Sequence, residues 1–230
     1  MTHASREELR AELIGRIPPS YSPWLHLAVP ALSGIAIAAL ALSRIEHLAA
    51  WQLLFVPVFF AVGNAVEWHV HRDLLHRRVR WLEVFYTRHT PQHHAVFVSE
   101  DMALRHRREL KLILLPAYAL VGIVILTSPL TLLLAWLGQP NLAALWIVTV
   151  VLYVLSYEWL HLAYHLPEES RLGRLRAIAY LRRHHQLHHA TNLMLRWNFN
   201  VTLPLWDHVR GTVYRPRSVP ARPAAVRRPT

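Results

Sequence analysis

Four apolar stretches mark the chain, at residues 24–42, 48–66, 112–137 and 142–160. Each comes close to or exceeds the roughly 20 residues that cross a hydrocarbon core as a helix. Only SRIEH separates the first from the second, which forces an antiparallel pair. The third stretch is long, and Pro116 and Pro129 predict a kink or an early end to its regular helix. The fourth carries Glu158 close to its end, just ahead of a histidine pair. Buried helices of a large soluble protein would show similar runs, but a chain this small has nothing to cover them with. The pattern therefore predicts an all-α integral membrane protein with about four transmembrane helices, one pair of which could dip in and return.

The flanks read differently. Residues 1–16 are polar, carry both signs and fit a short amphipathic helix through Glu8, Leu9, Glu12, Leu13 and Arg16, stopped by Pro18-Pro19. Acidic residues among the basic ones, and no small-residue cleavage site, speak against a signal peptide; a surface helix serving solvation is the expectation. From Tyr214 onward the chain is rich in Pro, Arg and Ala with no apolar period, which predicts disorder. The expected division is an N-terminal segment (1–23), a membrane-embedded domain (24–213) and a basic tail (214–230).

Composition narrows the chemistry. Of 230 residues, 53% are hydrophobic, 17 are His and none is Cys, which excludes disulfides, iron–sulfur clusters, thiolate zinc sites and cysteine nucleophiles. The formal charge of +11 lies in blocks between apolar runs, where anionic lipid head groups account for it better than nucleic acid does. Arginines dominate residues 72–111 and 171–230, whereas the connection Gly138-Gln139-Pro140-Asn141 is uncharged and Arg44 is balanced by Glu46. The positive-inside rule then puts both termini and all histidine-bearing segments in the cytoplasm, as a helical cap.

Those segments carry the candidate chemistry. Residues 67–94 read EWHVHRDLLHRRVRWLEVFYTRHTPQHH, and their partners follow about seventy residues later as YEWLHLAYH (157–165) and RRHHQLHH (182–189). Imidazole ligates iron, zinc and copper, and no single ion needs this many, so a centre of two ions is expected. Histidines four apart lie about 40° apart on a helical wheel, so His161 with His165, His89 with His93, and His185 with His189 can each converge. His188 lies three from His185, and the HH pairs can address two different ions. His71 and His76 are five apart, about 140° around a regular helix, so the wheel prefers His69 as the partner of His76. Glu67, four before His71, and Glu158, three before His161, are placed to accept the second ring N–H of a ligand, as is Asp73 near His76. The bland alternative is that these acids offset the arginines. Trp68, Trp159, Trp197, Trp206 and Tyr164 are expected in the interfacial belt and in packing around the centre.

The ordered pattern HRDLLH, HTPQHH, HLAYH and HQLHH, closed by NFNVTLPLWDHVRGT, resembles the fatty acid hydroxylase and sterol desaturase superfamily over roughly residues 59–212. The resemblance implies a dinuclear centre, physiologically iron, ligated by His71, His76, His89, His93, His94, His161, His165, His185, His188 and His189. It leaves His69 and His184 outside that set, as it does His3, His26, His47, His106 and His208, and it gives Asp207 an outer or structural role. HTPQHH departs from the pattern in having three residues before its HH where many relatives have two.

Two irons held by neutral imidazoles suit oxygen-dependent attack on an unactivated C–H bond. Hydroxylation of a membrane lipid (an acyl chain, sterol or carotenoid) is the expected reaction, with a lipid desaturase on the same centre as the alternative. A zinc-dependent membrane hydrolase is the alternative from another class, although HExxH is missing; zinc can also replace iron in purified protein. Without a nucleotide fingerprint or haem-attachment motif, electrons from NAD(P)H are expected through a separate redox partner.

Overall fold

The structure, a computed structural model, describes residues 2–216. Along the chain the helices are α1 (His3–Gly15), α2 (Pro23–Leu42), α3 (Phe55–Val70), α4 (Glu83–Arg88), α5 (His94–Val96), α6 (Leu110–Ile113), α7 (Ala119–Trp136), α8 (Pro140–Tyr164), α9 (Arg176–His188) and α10 (Leu205–Arg210). No strand occurs among the described residues, apart from one isolated bridge between Val98 and Asp101.

Four helical segments are long and apolar enough to cross a membrane: Pro23–Leu42, Ala50–Leu75, Ala119–Trp136 and Pro140–Tyr164. The second is longer than its apolar run, because a 3₁₀ turn (Ala50–Leu54) leads into α3 and a π turn (His71–Leu75) continues it past the first histidine. The third is shorter than its run. Helix α6 ends at Ile113, the chain is non-helical around Pro116, and α7 begins only at Ala119. Pro116 cannot donate the backbone bond a continuing helix needs, whereas Pro129 stays inside α7.

Helix α8 is the central post, packed against α2, α3 and α7. Close approach depends on two glycines. A Cβ on Gly34 would meet Leu155, Val151 and Leu120 at 2.9–3.3 Å, and one on Gly63 would meet the Tyr153 ring at 3.0–3.3 Å; small residues let apolar helices touch in this way. The outward faces stay apolar, with Leu126 at 78% and Trp136 at 81% exposure on α7 and Leu32 and Ile35 exposed on α2. Such a continuous apolar surface needs lipid around it. At the end away from the histidines, Asn141 closes the bundle by donating to Glu46 O (2.7 Å) and accepting from Glu46 N (3.1 Å).

Helix α1 does more than the surface role expected of it. Leu13 enters a core with Val96, Phe97, Leu110, Ile113 and Leu114, and buried Arg10 pairs with buried Glu109 at 3.2 Å. The N-terminal segment is thus seated on the histidine-bearing cap. The tail begins as an ordered segment, with Tyr214 N–H donating to Asn198 Oδ1 at 2.7 Å; the disorder expected further along falls on residues 217–230, outside the described residues.

Candidate metal centre

The first histidine box resolves a conflict between period and resemblance. In a regular helix His71 and His76 diverge, but the chain from His71 to Leu75 is wound as a π turn, which closes i→i+5 and brings residues five apart onto one face. The two rings stack, with centroids 5.1 Å apart and planes at 22°. His69 instead points outward, half exposed, with Nδ1 3.4 Å from Asp73.

The middle box repeats the device. His89–His93 is a second π turn, so His89 aligns with His94, five residues on, and their Nε2 atoms lie 3.0 Å apart. A π turn holds one more residue than an α turn, and the extra residue of HTPQHH is accommodated there. His89 and His93 do stack, with centroids 5.4 Å apart and planes at 22°, but their ligand atoms fall in different clusters.

Ten histidines form two buried groups, His71, His76, His89, His94 and His188 in one, and His93, His161, His165, His185 and His189 in the other. Within each group one ligand atom per residue lies within 4.8 Å of all the rest. The adjacent pairs His93-His94 and His188-His189 each give one ring to either group, as the 100° step along a helix allows. The groups touch: His94 and His189 stack at 4.1 Å and 23°.

The outer nitrogens are held mostly by backbone. His188 Nδ1 bonds to Trp197 O (2.9 Å), His93 Nδ1 to Leu112 O (3.0 Å), His165 Nδ1 to Met102 O (2.7 Å) and His189 Nδ1 to Phe97 O (2.5 Å), while His71 Nδ1 bonds to Phe199 O. His76 Nδ1 bonds to Thr90 Oγ1 at 3.1 Å, whose hydroxyl proton is committed to Leu75 O at 2.8 Å. A carbonyl or an already donating hydroxyl can only accept, so each of these rings carries its proton on Nδ1 and turns a bare Nε2 inward. His76 Nε2 and His188 Nε2 then face one another as two lone pairs 2.9 Å apart. In the other group Nε2 of His93 and of His165, and both nitrogens of His161, are buried with no hydrogen-bond partner. Leaving such polar atoms buried and unpaired costs about 1–3 kcal/mol each; a divalent cation in each group would satisfy the proton-free nitrogens, one per ring. The donor set, all imidazole, fits iron, zinc or copper.

Charging the rings is no alternative. Burial, and then the nearness of other imidazoles, holds His76, His89, His94, His165, His185 and His188 well below the usual histidine range, and burial and His93 do so for His189. The unfolded chain takes up protons below pH 6.5 that the folded cap refuses, so stability falls as pH drops through that value. Each such ring adds about 1.4 kcal/mol of destabilisation per pH unit once its unfolded counterpart is protonated. Metal-free protein in detergent should therefore lose thermal stability steeply below about pH 6.5, and metal-loaded protein should resist to lower pH. A flat melting temperature for the metal-free protein across that range would contradict this account.

None of the four carboxylates expected beside the ligands bonds to a clustered ring. Glu67 accepts from Val201 N, Thr202 N, Thr202 Oγ1 and Tyr153 OH; Glu158 accepts from Leu115 N; Asp73 faces His69 and arginines at the surface. Asp207 takes His184 Nε2 at 3.1 Å, which accounts for His184 lying outside both groups. Burial opposes ionisation of Asp207, but bonds from His184, Thr212 and the Asn200 amide outweigh it and hold the carboxyl below its usual range. The carbonyl partners leave no side-chain signature in a sequence, which is why sequence reasoning passes over them. Thr90 could have been suspected only from its place beside His89. Of the aromatic residues, Trp68 and Tyr164 are fully buried next to the centre, whereas Trp159 is half exposed.

The molecule is thus a four-span, all-helical membrane protein with two abutting histidine clusters at one end of its spans. The fatty acid hydroxylase family model matches residues 56–212, and the chain belongs to that family; it is accordingly an oxidoreductase. A search of curated proteins gives no match. Among solved structures, one described as full length scs7p with only the hydroxylase domain visible aligns with a TM-score of 0.58 at 20% identity, covering 86% of this chain and 68% of that one, a likeness of fold.

Proposed function

We propose that the protein hydroxylates a membrane lipid, inserting one oxygen atom of O₂ into a C–H bond at a centre of two iron ions held by the ten clustered histidines. The observation that carries this reading is the set of inward, proton-free Nε2 atoms, above all His76 and His188 at 2.9 Å, in a chain of the hydroxylase family. Iron at these positions would supply the reduction of dioxygen that attack on an unactivated C–H bond requires. Overall, R–H, O₂, two electrons and two protons give R–OH and water. The electrons come from NAD(P)H through a separate carrier, since the sequence holds no cysteine and no nucleotide fingerprint.

This chain's own residues set the conditions. Backbone carbonyls fix the tautomers, which second-shell partners of ligating histidines generally do. Burial of all ten rings keeps bulk water from the reacting carbon. His71 and His161 lie on the last turns of membrane-spanning segments, so a substrate whose polar head stays at the interface can bring an apolar carbon to the clusters. Each buried CH₂ contributes roughly 0.8 kcal/mol, enough to hold a long chain and too uniform to choose among an acyl lipid, a sterol and a carotenoid. The arginine-rich cap faces the cytoplasm in this reading.

The test is lipid mass spectrometry of host membranes containing wild type or His188→Ala, grown with isotopically labelled dioxygen and a competent electron-transfer chain. One labelled oxygen gained only with wild type is the expected result. Loss of two hydrogens without label would identify a desaturase instead. Neither product from iron-loaded, reducible enzyme would overturn the substrate class.

A further inference from the structure

Residues 197–202 form an irregular, non-helical segment, bent at both ends and with Asn198 at φ 59°, and their backbone is used on both sides. On one side, four consecutive amides are gripped by two buried carboxylates. Phe199 N–H donates to Asp207 Oδ1 (3.0 Å), Asn200 N–H to Asp207 Oδ2 (2.8 Å), and Val201 and Thr202 N–H both donate to Glu67 Oε1, the latter at 3.1 Å. On the other side, alternate carbonyls point to the centre: Trp197 O takes His188 Nδ1, Phe199 O takes His71 Nδ1 and Val201 O takes Tyr164 OH. The Phe199 ring fills the remaining gap, edge-on to His71, His76 and His188 with centroids 5.7–6.3 Å away.

His71 and His188 belong to the same cluster. Three of the five rings of the other cluster are oriented from elsewhere, with His93, His165 and His189 held by the carbonyls of Leu112, Met102 and Phe97; the segment bonds to none of its rings and meets it through Tyr164, whose ring lies 5.5 Å from that of His185. We infer that Glu67 and Asp207 are positioning residues for only one of the two metal sites, acting through the 197–202 segment on His71 and His188, so that the two sites are set and lost separately. The inference rests on the two-ion reading proposed above.

The two carboxylates differ in what can replace them. Each oxygen of Asp207 accepts at least one obligatory donor, Trp68 Nε1 (3.1 Å) and Phe199 N–H on Oδ1 and Asn200 N–H on Oδ2, beside Thr212 Oγ1 (2.6 Å) on Oδ1 and His184 Nε2 on Oδ2. An asparagine there must turn an NH₂ group against N–H donors. Glu67 divides its load: Oε1 takes the two amides, while Oε2 takes only the hydroxyls of Tyr153 and Thr202. Hydroxyls can reverse and accept, so a glutamine at 67 keeps the grip on the amides and a methionine of similar size abolishes it.

The experiment is iron per chain by elemental analysis on full-length protein purified in detergent, loaded with ferrous iron and checked for a monodisperse, helical state. Wild type and Glu67→Gln should hold two equivalents, whereas Asp207→Asn and Glu67→Met should hold one. Adding His94→Ala to Asp207→Asn should remove nothing more, because both act on one site; adding His165→Ala should remove the remaining ion. If Asp207→Asn misfolds, the Glu67→Met and Glu67→Gln pair decides alone. Two equivalents or none in the folded Glu67→Met or Asp207→Asn variant would overturn the selective role. Fewer than two in wild type would overturn the two-ion reading itself, and the inference with it.

Discussion

Alanine at His71 should abolish lipid product and remove one of the two metal ions, whereas alanine at His69 should leave product and metal near the wild-type level. The residues are two apart in sequence and opposite in circumstance. His71 is 1% exposed, its Nδ1 is fixed on Phe199 O and its Nε2 lies 2.9 Å from that of His89, so removing the ring takes a donor from the middle of its cluster. His69 is half exposed, lies edge-on to the neighbouring Trp68 ring and pairs with Asp73, a surface pair of the kind worth about 0–1 kcal/mol. Most folded protein should survive either change, because the apolar faces between α2, α3, α7 and α8 are untouched. Metal analysis and turnover on the two purified variants measure the contrast. Both ions retained in His71→Ala and one lost in His69→Ala would show that the helical wheel, and not the π turn, describes this segment.

Glu109→Ala should destabilise the protein by about 3–5 kcal/mol, the usual consequence of removing one partner from a buried ion pair. Arg10 is 4% exposed and Glu109 is 1% exposed; Glu109 also accepts the Arg105 amide at 3.0 Å, and Arg10 reaches Val96 O at 3.3 Å. Without Glu109 the guanidinium must either stay buried with Val96 O and the more distant Asp101, at 3.5 Å, or pull α1 off the cap. Phe97 lies directly beneath, 5.3 Å from the guanidinium, and its carbonyl orients His189, so loosening should also weaken metal retention. The double change Arg10→Met with Glu109→Met should cost less than the single Glu109→Ala, since it leaves no unpaired charge and fills the space with apolar atoms. Unfolding of metal-loaded protein in detergent provides the comparison; a loss below about 1 kcal/mol for Glu109→Ala would mean the pair behaves as a surface contact.

Much of the architecture follows from local sequence. Apolar runs near the length of a bilayer, with a small chain around them, leave only membrane-spanning helices, because burying or hydrating that much apolar surface otherwise is too costly. The ten histidines are likewise visible as types at helical spacings, and the absence of cysteine limits what they can do. How they divide was not visible. Period-based reasoning paired His89 with His93 and disfavoured His71 with His76, because it assumes a regular α-helix; whether a segment takes an α or a π turn is set by packing of that turn against the rest of the cap. The carboxylates illustrate a second limit. Glu67 and Glu158 sit at helical distances from ligands, yet their partners are amides from residues 201–202 and 115, remote in sequence. Sequence by itself determined the membrane class, the number of candidate spans and the imidazole make-up of the clusters, all of which depend on composition and near-neighbour spacing. Only the tertiary structure decided which ring joins which cluster and which carbonyl holds it, because those depend on contacts between segments up to about 130 residues apart, such as His71 with Phe199.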